Sequence, residues 1–347
     1  MERTPVLSVG LIKPKIVVLC AVRNEEWILR HFLCACSRFA DHVLVADQNS
    51  YDKTLQICSD FPKVTRIVND SREFNEGDRI QLLIREARER FGLGNVLLAL
   101  DADEIPVNTL QSEQQWRTIR EIEPGVILRF SKPDIDIDGQ TLVDMGSIWK
   151  LGYIDDGAEH TAAKIHAQRV PSPADAPIFD AADISFLHVN LIRPDALRAK
   201  RRMYCALENA QGISSLRRRL LAYNRFIDFS TSGSTRTITR EWIDALAADG
   251  LHLSDVPEEP PFWQDYEVLR LFRIHGMKRF WLDDLWDADW AQISHRCRMA
   301  GWDETPEKLK FPPLYIRLIS RILQLIYQAA SRAKHAIKSF GGLFGKA

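Results

Sequence analysis

Three acids in four residues, Asp101-Ala102-Asp103-Glu104, close the apolar run Asn95–Leu100 (NVLLAL). Aspartates are poor strand formers and neighbouring carboxylates repel one another, so the cluster calls for a counter-charge. A divalent cation supplies one. Hard ions such as Mg2+ and Mn2+ take carboxylate oxygens, often one or two of them together with substrate phosphates. The same acids also suit the first turn of a helix, where Asp and Glu meet the positive end of the macrodipole and Pro106 follows close by. The position of the run in the chain bears on the choice between these two readings.

The preceding residues alternate between two textures. Ile16–Val22 (IVVLCAV), His42–Asp47 (HVLVAD), Val64–Val68 and Asn95–Leu100 are short runs rich in aliphatic residues, and Trp27–Phe39, Lys53–Phe61 and Glu76–Phe91 between them are helical in pattern. Short apolar runs separated by helices predict βαβ units and a parallel sheet covered on both faces. In such sheets ligands bind outside the carboxyl ends of the strands. The residues that follow the four strands are Arg23/Asn24/Glu25, Asp47, Asn69/Asp70 and Asp101/Asp103/Glu104, and they are predicted to converge on one edge.

From 124 to 195 the pattern becomes one of added mixed strands: Val126–Phe130, Ile148–Tyr153, Lys164–Arg169 and Ile184–Leu191, separated by turns such as Asp138-Gly139 and the Pro171–Pro177 loop. Beyond 195 the texture is helical (Asp195–Ala210, Ser215–Phe229, Thr239–Ala248, Gln264–His275, Trp290–Ala300), with Pro257–Pro261 as a stiff linker and Asp195 as a helix cap. No internal repeat is present. Three segments are expected: 1–195 carrying the sheet and the chemistry, 196–310 helical, and 311–347 a basic amphipathic helix.

The 347 residues, 46% apolar and 27% charged, describe a globular chain, and a net charge of −1 argues against a nucleic-acid partner. That total hides an uneven distribution. Lys308–Ala347 holds eight Lys and Arg and no acid, which leaves 47 acids against 38 bases in the rest. Within residues 313–338, Arg317, Arg321, Gln324, Gln328, Arg332 and His335 draw a polar stripe beside an apolar face of Leu318, Ile322, Leu325, Ile326, Ala329, Ala333 and Ile337. A basic helix of this kind suits peripheral contact with an anionic membrane surface, and equally suits docking on the body or on a partner. No run reaches the roughly 18 apolar residues of a membrane span. The opening residues, Glu2 and Arg3 before a short Val6–Val9 patch, do not have the pattern of a secretory signal. Cys20, Cys34, Cys36, Cys58, Cys205 and Cys297 form no CxxC pair, so reduced thiols and a cytoplasmic location, with attachment to the inner face of the membrane through the basic helix, are expected.

Four features in order over about ninety residues resemble family 2 glycosyltransferases of the GT-A fold, in a bacterial glycosyltransferase-2-like subgroup. Val17–Glu25 (VVLCAVRNE) is similar to the opening strand and its Asn-Glu turn. Val45–Thr54 (VADQNSYDKT) is similar to the Asp-Asp-Gly-Ser-Thr-Asp-Gly-Thr segment, with Gln48, Asn49 and Lys53 as departures. Asp78-Arg79 resembles the family's Ala-Arg-Asn, and Leu100–Glu104 (LDADE) its Asp-x-Asp motif. Ile184–Arg202 resembles the subgroup's strand, His and basic helix.

The resemblance implies a Rossmann-like mixed α/β sheet flanked by helices, with a C-terminal helical region. It implies a hexosyltransferase that uses a nucleotide-sugar donor, UDP- or GDP-linked, a glycan or lipid-linked acceptor, and Mn2+ or Mg2+. Asp103 would ligate the metal, Asp101 would share the ion or hold the donor ribose, and His188 would be a further ligand. Asp47 would accept from base or ribose, Arg79 would reach the phosphates, Arg23 and Glu25 would line the same edge, and Lys200 would approach from the next helix. Turn formation by Asp47, a surface ion pair for Arg79 and a core position for His188 are the structural alternatives. An inverting displacement needs a carboxylate base. Asp156 is the first candidate, with Asp155 and Glu159 in the same Gly-flanked loop, which reads equally well as a hairpin turn. The Trp- and Asp-rich stretch 262–302 suits sugar faces but suits helix packing better. A catalytically inactive GT-A-like module that binds a nucleotide or glycan is the alternative function. Dehalogenase-type phosphatases place their DxD after the first strand, and nucleotidyltransferases need a Gly-rich loop where this chain has Arg23-Asn24-Glu25-Glu26.

Overall fold

The computed structural model of the chain describes residues 13–108, 112–144, 148–223, 234–258 and 260–344, the last eleven as backbone only. The Val6–Val9 patch and the side chains of Lys334, His335, Ile337 and Lys338 lie outside the described residues. Two compact units divide the chain: Met1–Ile192 with Ser232–Val256, and Arg193–Thr231 with Pro257–Ala347.

In the first unit the aliphatic runs form the parallel half of a sheet: β1 (Ile16–Val22), β2 (His42–Asp47), β3 (Val64–Val68) and β4 (Val96–Ala99), in the order β4-β1-β2-β3. Helices α1 (Leu29–Cys36), α2 (Thr54–Cys58) and α3 (Glu76–Phe91) connect them. Ile16, Val18, Cys20 and Val22 turn to one face, where they join a core with Phe32 and Leu33 of α1. Val17 and Leu19 turn to the other, with Leu83, Ile84 and Ala87 of α3. Burial on both faces is why β1 is apolar at every position. The registers set Val22 opposite Asp47 and Asp47 opposite Val68, while Leu19 meets Ala99, so the residues after all four strands share one edge.

The sheet then becomes mixed and reaches 11 strands among the described residues. The additions are β5 (Glu104–Pro106), β6 (Ile127–Ser131), β7 (Asp134–Ile135), β8 (Thr141–Asp144), β9 (Ile148–Ile154) and β10 (Ile178–His188), with α4 (Glu113–Ile119) covering one face through Trp116 and Ile119. β9 is antiparallel to both β4 and β6, and β10 is parallel to β6. β6 and β10 therefore run the same way as β1–β4, and Ser131 and His188 end on the same edge as Asp101.

Lys164–Arg169 is a loop and not the strand its alternation suggested. The start of this loop serves α3: Glu76 N–H donates to Lys164 O (2.9 Å), and Gly77 N–H to O of the preceding Ala163 (3.0 Å). The chain also returns to the sheet after the first helices of the second unit. β11 (Ser234–Thr237) pairs with β8, and α7 (Arg240–Ala248) leads to Asp249, whose carboxylate pairs with Arg38 and whose carbonyl meets His31 Nδ1 at 2.7 Å. Residues 232–256 thus belong with the first unit and not with a helical middle segment.

The second unit is helical: α5 (Pro194–Gln211), α6 (Leu216–Ala222), α8 (Trp263–His275), α9 (Trp290–Met299) and α10 (Leu314–Phe344). Pro194 occupies the first helical position of α5, which puts Asp195 inside the first turn, and the free amides of Asp195 and Ala196 go to Glu258 Oε1 instead. Trp263, Trp290 and Trp302 are buried. Asp283 and Asp284 are buried on Arg219 and Gln324, and Asp289 caps α9, so the Trp- and Asp-rich stretch packs helices. All six cysteines are free, and burial pushes the Cys58 thiol up to about 11 and Cys297 up to about 12.

Candidate functional site

Two turns at the edge interlock. Asn24 after β1 and Asn49 after β2 both take the left-handed conformation (φ +55° and +53°) that Asn tolerates best among residues with a Cβ. Asn24 N–H donates to Ser50 Oγ (2.8 Å), Tyr51 N–H to Asn24 Oδ1 (2.8 Å), Glu25 N–H to Thr54 Oγ1 (2.9 Å) and Glu26 N–H to Asp52 Oδ2 (3.0 Å). Ser50, Asp52 and Thr54 are therefore the braces that fix Arg23, Glu25 and Asp47 at the strand ends. Asp47 is buried. Its Oδ2 accepts from Ser50 N–H at 3.2 Å, while its Oδ1 has no partner among the described residues. An orphaned buried carboxylate oxygen is costly unless something donates to it, which suits a ligand hydroxyl or base amine.

Arg79 stands one turn into α3. Asn75 caps this helix by accepting Asp78 N–H (3.2 Å). The Arg79 guanidinium lies over the Phe74 ring (5.4 Å), and its Nε has no partner among the described residues. The expected surface ion pair is not what holds this side chain.

The acid cluster begins no helix. Its last residue, Glu104, opens β5, which pairs antiparallel with the end of β10 and brings His188 opposite Glu104. Glu104 is fully buried. It accepts from Lys132 Nζ (2.8 Å) and Arg169 Nη2 (3.0 Å), and its Oε2 accepts Asp101 N–H (2.9 Å). Burial alone would raise this carboxyl; Arg169, Lys132 and His188 outweigh it and hold the pKa down at about 2. Arg169 also donates to Asp101 Oδ2 (2.6 Å). Burial opposes its charge, but Asp101, Glu104 and Asp103 raise its pKa further above the ordinary arginine value.

His188 Nδ1 lies 2.6 Å from Asp134 Oδ1, and its Nε2 faces Asp103 Oδ2 at 3.6 Å. Burial and Lys132 work against a proton on this ring; Asp103 and Asp134 prevail and raise its pKa. A histidine steadied at one nitrogen by a carboxylate, with the other facing an acid across a gap, is a common arrangement at cation sites. Among the described residues no three His, Cys, Asp or Glu side chains form a ready metal cage. Asp103 and His188 nonetheless fit a hard ion that completes its shell with substrate phosphates and water. Asp101, already engaged by Arg169, fits that role less well.

No family model matches the chain. No curated protein matches it either. It is similar to solved structures that include a 4-diphosphocytidyl-2C-methyl-D-erythritol synthase (TM-score 0.28, 15% identity, 35% of this chain and 61% of that one). Others are S. aureus TarS 1–349 (TM-score 0.33, 13% identity, 84% of this chain and 88% of that one) and HddC from Yersinia pseudotuberculosis (TM-score 0.29, 10% identity, 50% and 92%). The chain spans about three fifths of the synthase it matches.

The edge thus gathers Arg23, Glu25, Asp47, Arg79, Asp101, Asp103 and His188. It does not gather the expected bases. β9 runs against β4, with Ile154 opposite Val96, so the loop after β9 emerges at the amino ends of the parallel strands. Asp155 N–H donates to Asn95 O there (2.9 Å), six residues before Asp101 and so about 20 Å away at the rise of a strand. Asp155 is buried on Arg88 (2.7 Å), and Asp156 accepts from Tyr153 OH (2.7 Å) and Ala158 N–H (2.8 Å). Exposed Glu159 precedes His160, whose carbonyl meets Gln81 partway along α3. Asp155 and Asp156 hold a turn and a helix in place. Lys200 lies on α5 of the second unit, and its neighbour Arg202 is committed to Asp265 in a bidentate pair (2.8 Å for both contacts).

Sequence reasoning missed Lys132, Asp134 and Arg169. Lys132-Pro133-Asp134 directly follows β6, so the rule that singled out the ends of β1–β4 would have found the first two. Arg169 carries no such signal, because a loop running along α3 delivers it.

Proposed function

We propose that the chain is a glycosyltransferase that moves a sugar from a nucleoside-diphosphate donor to a glycan or lipid-linked acceptor with help from Mn2+ or Mg2+. One observation carries the reading: Asp101, Asp103 and His188 stand at the carboxyl edge of the same parallel sheet whose other strand ends present Arg23, Asp47 and Arg79. That edge is where an open α/β sheet receives a nucleotide. Asp103 and His188 hold the cation, with Asp134 fixing the imidazole. The ion, when bound, supplies Lewis-acid stabilisation of the departing diphosphate. Asp47 receives a ribose hydroxyl or base amine on Oδ1. Arg79, whose fork has no acid partner among the described residues, takes phosphate oxygens. Arg169 and Lys132 hold Glu104 ionised and so lock the turn that aims Asp101 and Asp103. With Asp155 and Asp156 at the far edge, a general base comes from the acids of this edge, of which Asp101 keeps solvent access.

The test is a thermal-shift panel of UDP- and GDP-sugars with and without Mn2+, followed by donor hydrolysis. A donor that raises the melting temperature only with metal, together with turnover abolished in Asp103→Ala, is the expected result. A panel with no shift under any metal condition overturns the reading. A second reading, a nucleotide- or glycan-binding module without turnover, is favoured by the Arg169 ion pairs, which already neutralise Asp101 and Glu104. Donor binding with no hydrolysis in any metal would select it.

A further inference from the structure

Helix α10 is amphipathic the wrong way round for a helix docked on a protein. Its polar edge faces the second unit: Ser320 Oγ donates to Leu282 O (2.7 Å), and buried Gln324 donates through Nε2 to Asp284 Oδ2 (3.1 Å). Tyr327 on the same side lies under Arg217 (5.9 Å). Its apolar side faces outward. Leu314, Leu318, Ile319, Ile322, Leu325 and Ile326 are each between 44% and 73% exposed. At about 100° per residue they fall within an arc of about 140°. Burial of apolar area drives docking, so a helix that buries Gln324 and exposes four turns of Leu and Ile has its apolar side reserved for something else.

Charge says what that is. Arg317 and Arg321 are exposed and border the apolar arc, with Arg332 in line further on, and no Asp or Glu occurs from Lys308 to Ala347. Long basic side chains at the margin of an apolar face can reach lipid headgroups while the face enters the acyl boundary. Two copies meeting through this face would bring like charges together, whereas an anionic surface attracts all of them. No helix among the described residues is long and apolar enough to cross a membrane. We propose that the outward face of α10 seats the protein on an anionic lipid bilayer, lying in the interface and not spanning it. This stands independently of the catalytic reading.

The experiment is co-sedimentation of the full chain with vesicles of phosphatidylcholine alone, or with about 30 mol% phosphatidylserine, in about 0.1 M salt. Pelleting with the anionic vesicles and weak pelleting with the neutral ones is expected. Arg317→Gln with Arg321→Gln should lower partition by about five-fold per charge removed. Leu318→Glu/Ile322→Glu/Ile326→Glu should abolish it while leaving the melting temperature in buffer unchanged, because all three positions are exposed; a Ser triple at the same positions serves if the Glu triple melts early. Three outcomes overturn the proposal: no partition onto anionic vesicles, equal partition onto both compositions, or a dimer in buffer that the Glu triple dissociates.

Discussion

Glu104→Gln removes one charge from the centre of the site at almost constant volume, and the structure sets the size of the effect. The wild-type carboxyl is held at about 2 against an ordinary value of 4.5, with burial opposing the charge and Arg169, Lys132 and His188 prevailing. At about 1.4 kcal/mol per unit, the ionised form contributes about 3 kcal/mol more than a neutral one. Glutamine stands in for that neutral form: its amide oxygen can still accept from Lys132, but the almost wholly buried ammonium loses its counter-charge. Breaking one side of a buried pair costs about 3–5 kcal/mol by general experience, so the two routes agree. The folded pKa is depressed, so the stabilisation is complete above pH 4.5 and is lost as pH falls toward 2. About half of it remains near pH 3.2. Urea unfolding followed by tryptophan fluorescence at pH 7 and near pH 3.2 reads both the difference and its decline. A gap between wild type and Glu104→Gln below about 1 kcal/mol at pH 7, or one that does not narrow in acid, would refute the ion-pair account.

Three further outcomes follow from the same geometry. His188→Ala should lower the affinity for Mn2+ in donor hydrolysis by about 10–100-fold, and Asp134→Asn should do the same through the ring it steadies, both read by metal titration of the rate. Asp156→Ala should leave turnover within about two-fold of wild type in a steady-state assay, because Asp156 lies at the opposite edge and contributes only hydrogen bonds of about 1 kcal/mol each to stability. Gly77→Ala has no room. Its Cβ would come within 2.8 Å of the Ala162–Ala163 backbone, so the loop must lift from α3. A melting temperature several degrees lower and a loss of donor binding, by calorimetry and thermal shift, are expected because that loop delivers Arg169.

The parallel half of the fold was legible because each strand carries its own evidence. Ile16–Val22 is apolar throughout since both its faces are covered, and Glu76–Phe91 announces its start with Asn75 and its end with Gly92. From four such strands the convergence of Arg23, Asp47, Asp101 and Asp103 follows without coordinates, since parallel strands share a carboxyl end. The mixed half was harder. Lys164–Arg169 alternates like a strand yet caps α3 as a loop, and Ser234–Thr237 looked like part of a helical region yet pairs with β8. Pairing across about ninety residues leaves no local trace.

The residue types fixed an acid-rich edge, a two-faced sheet and an amphipathic basic tail, because each depends on composition and periods of two or 3.6 along the chain. Tertiary structure alone decided three things. The direction of β9 sends Asp155 and Asp156 to the far edge, the path of the 155–177 loop brings Arg169 onto Asp101 and Glu104, and the docking of Ser320 and Gln324 leaves the apolar face of α10 outward. All three are contacts between residues distant in sequence. Strand direction, loop path and docked face depend on which partners win in three dimensions, and nearest neighbours in the chain do not carry that information.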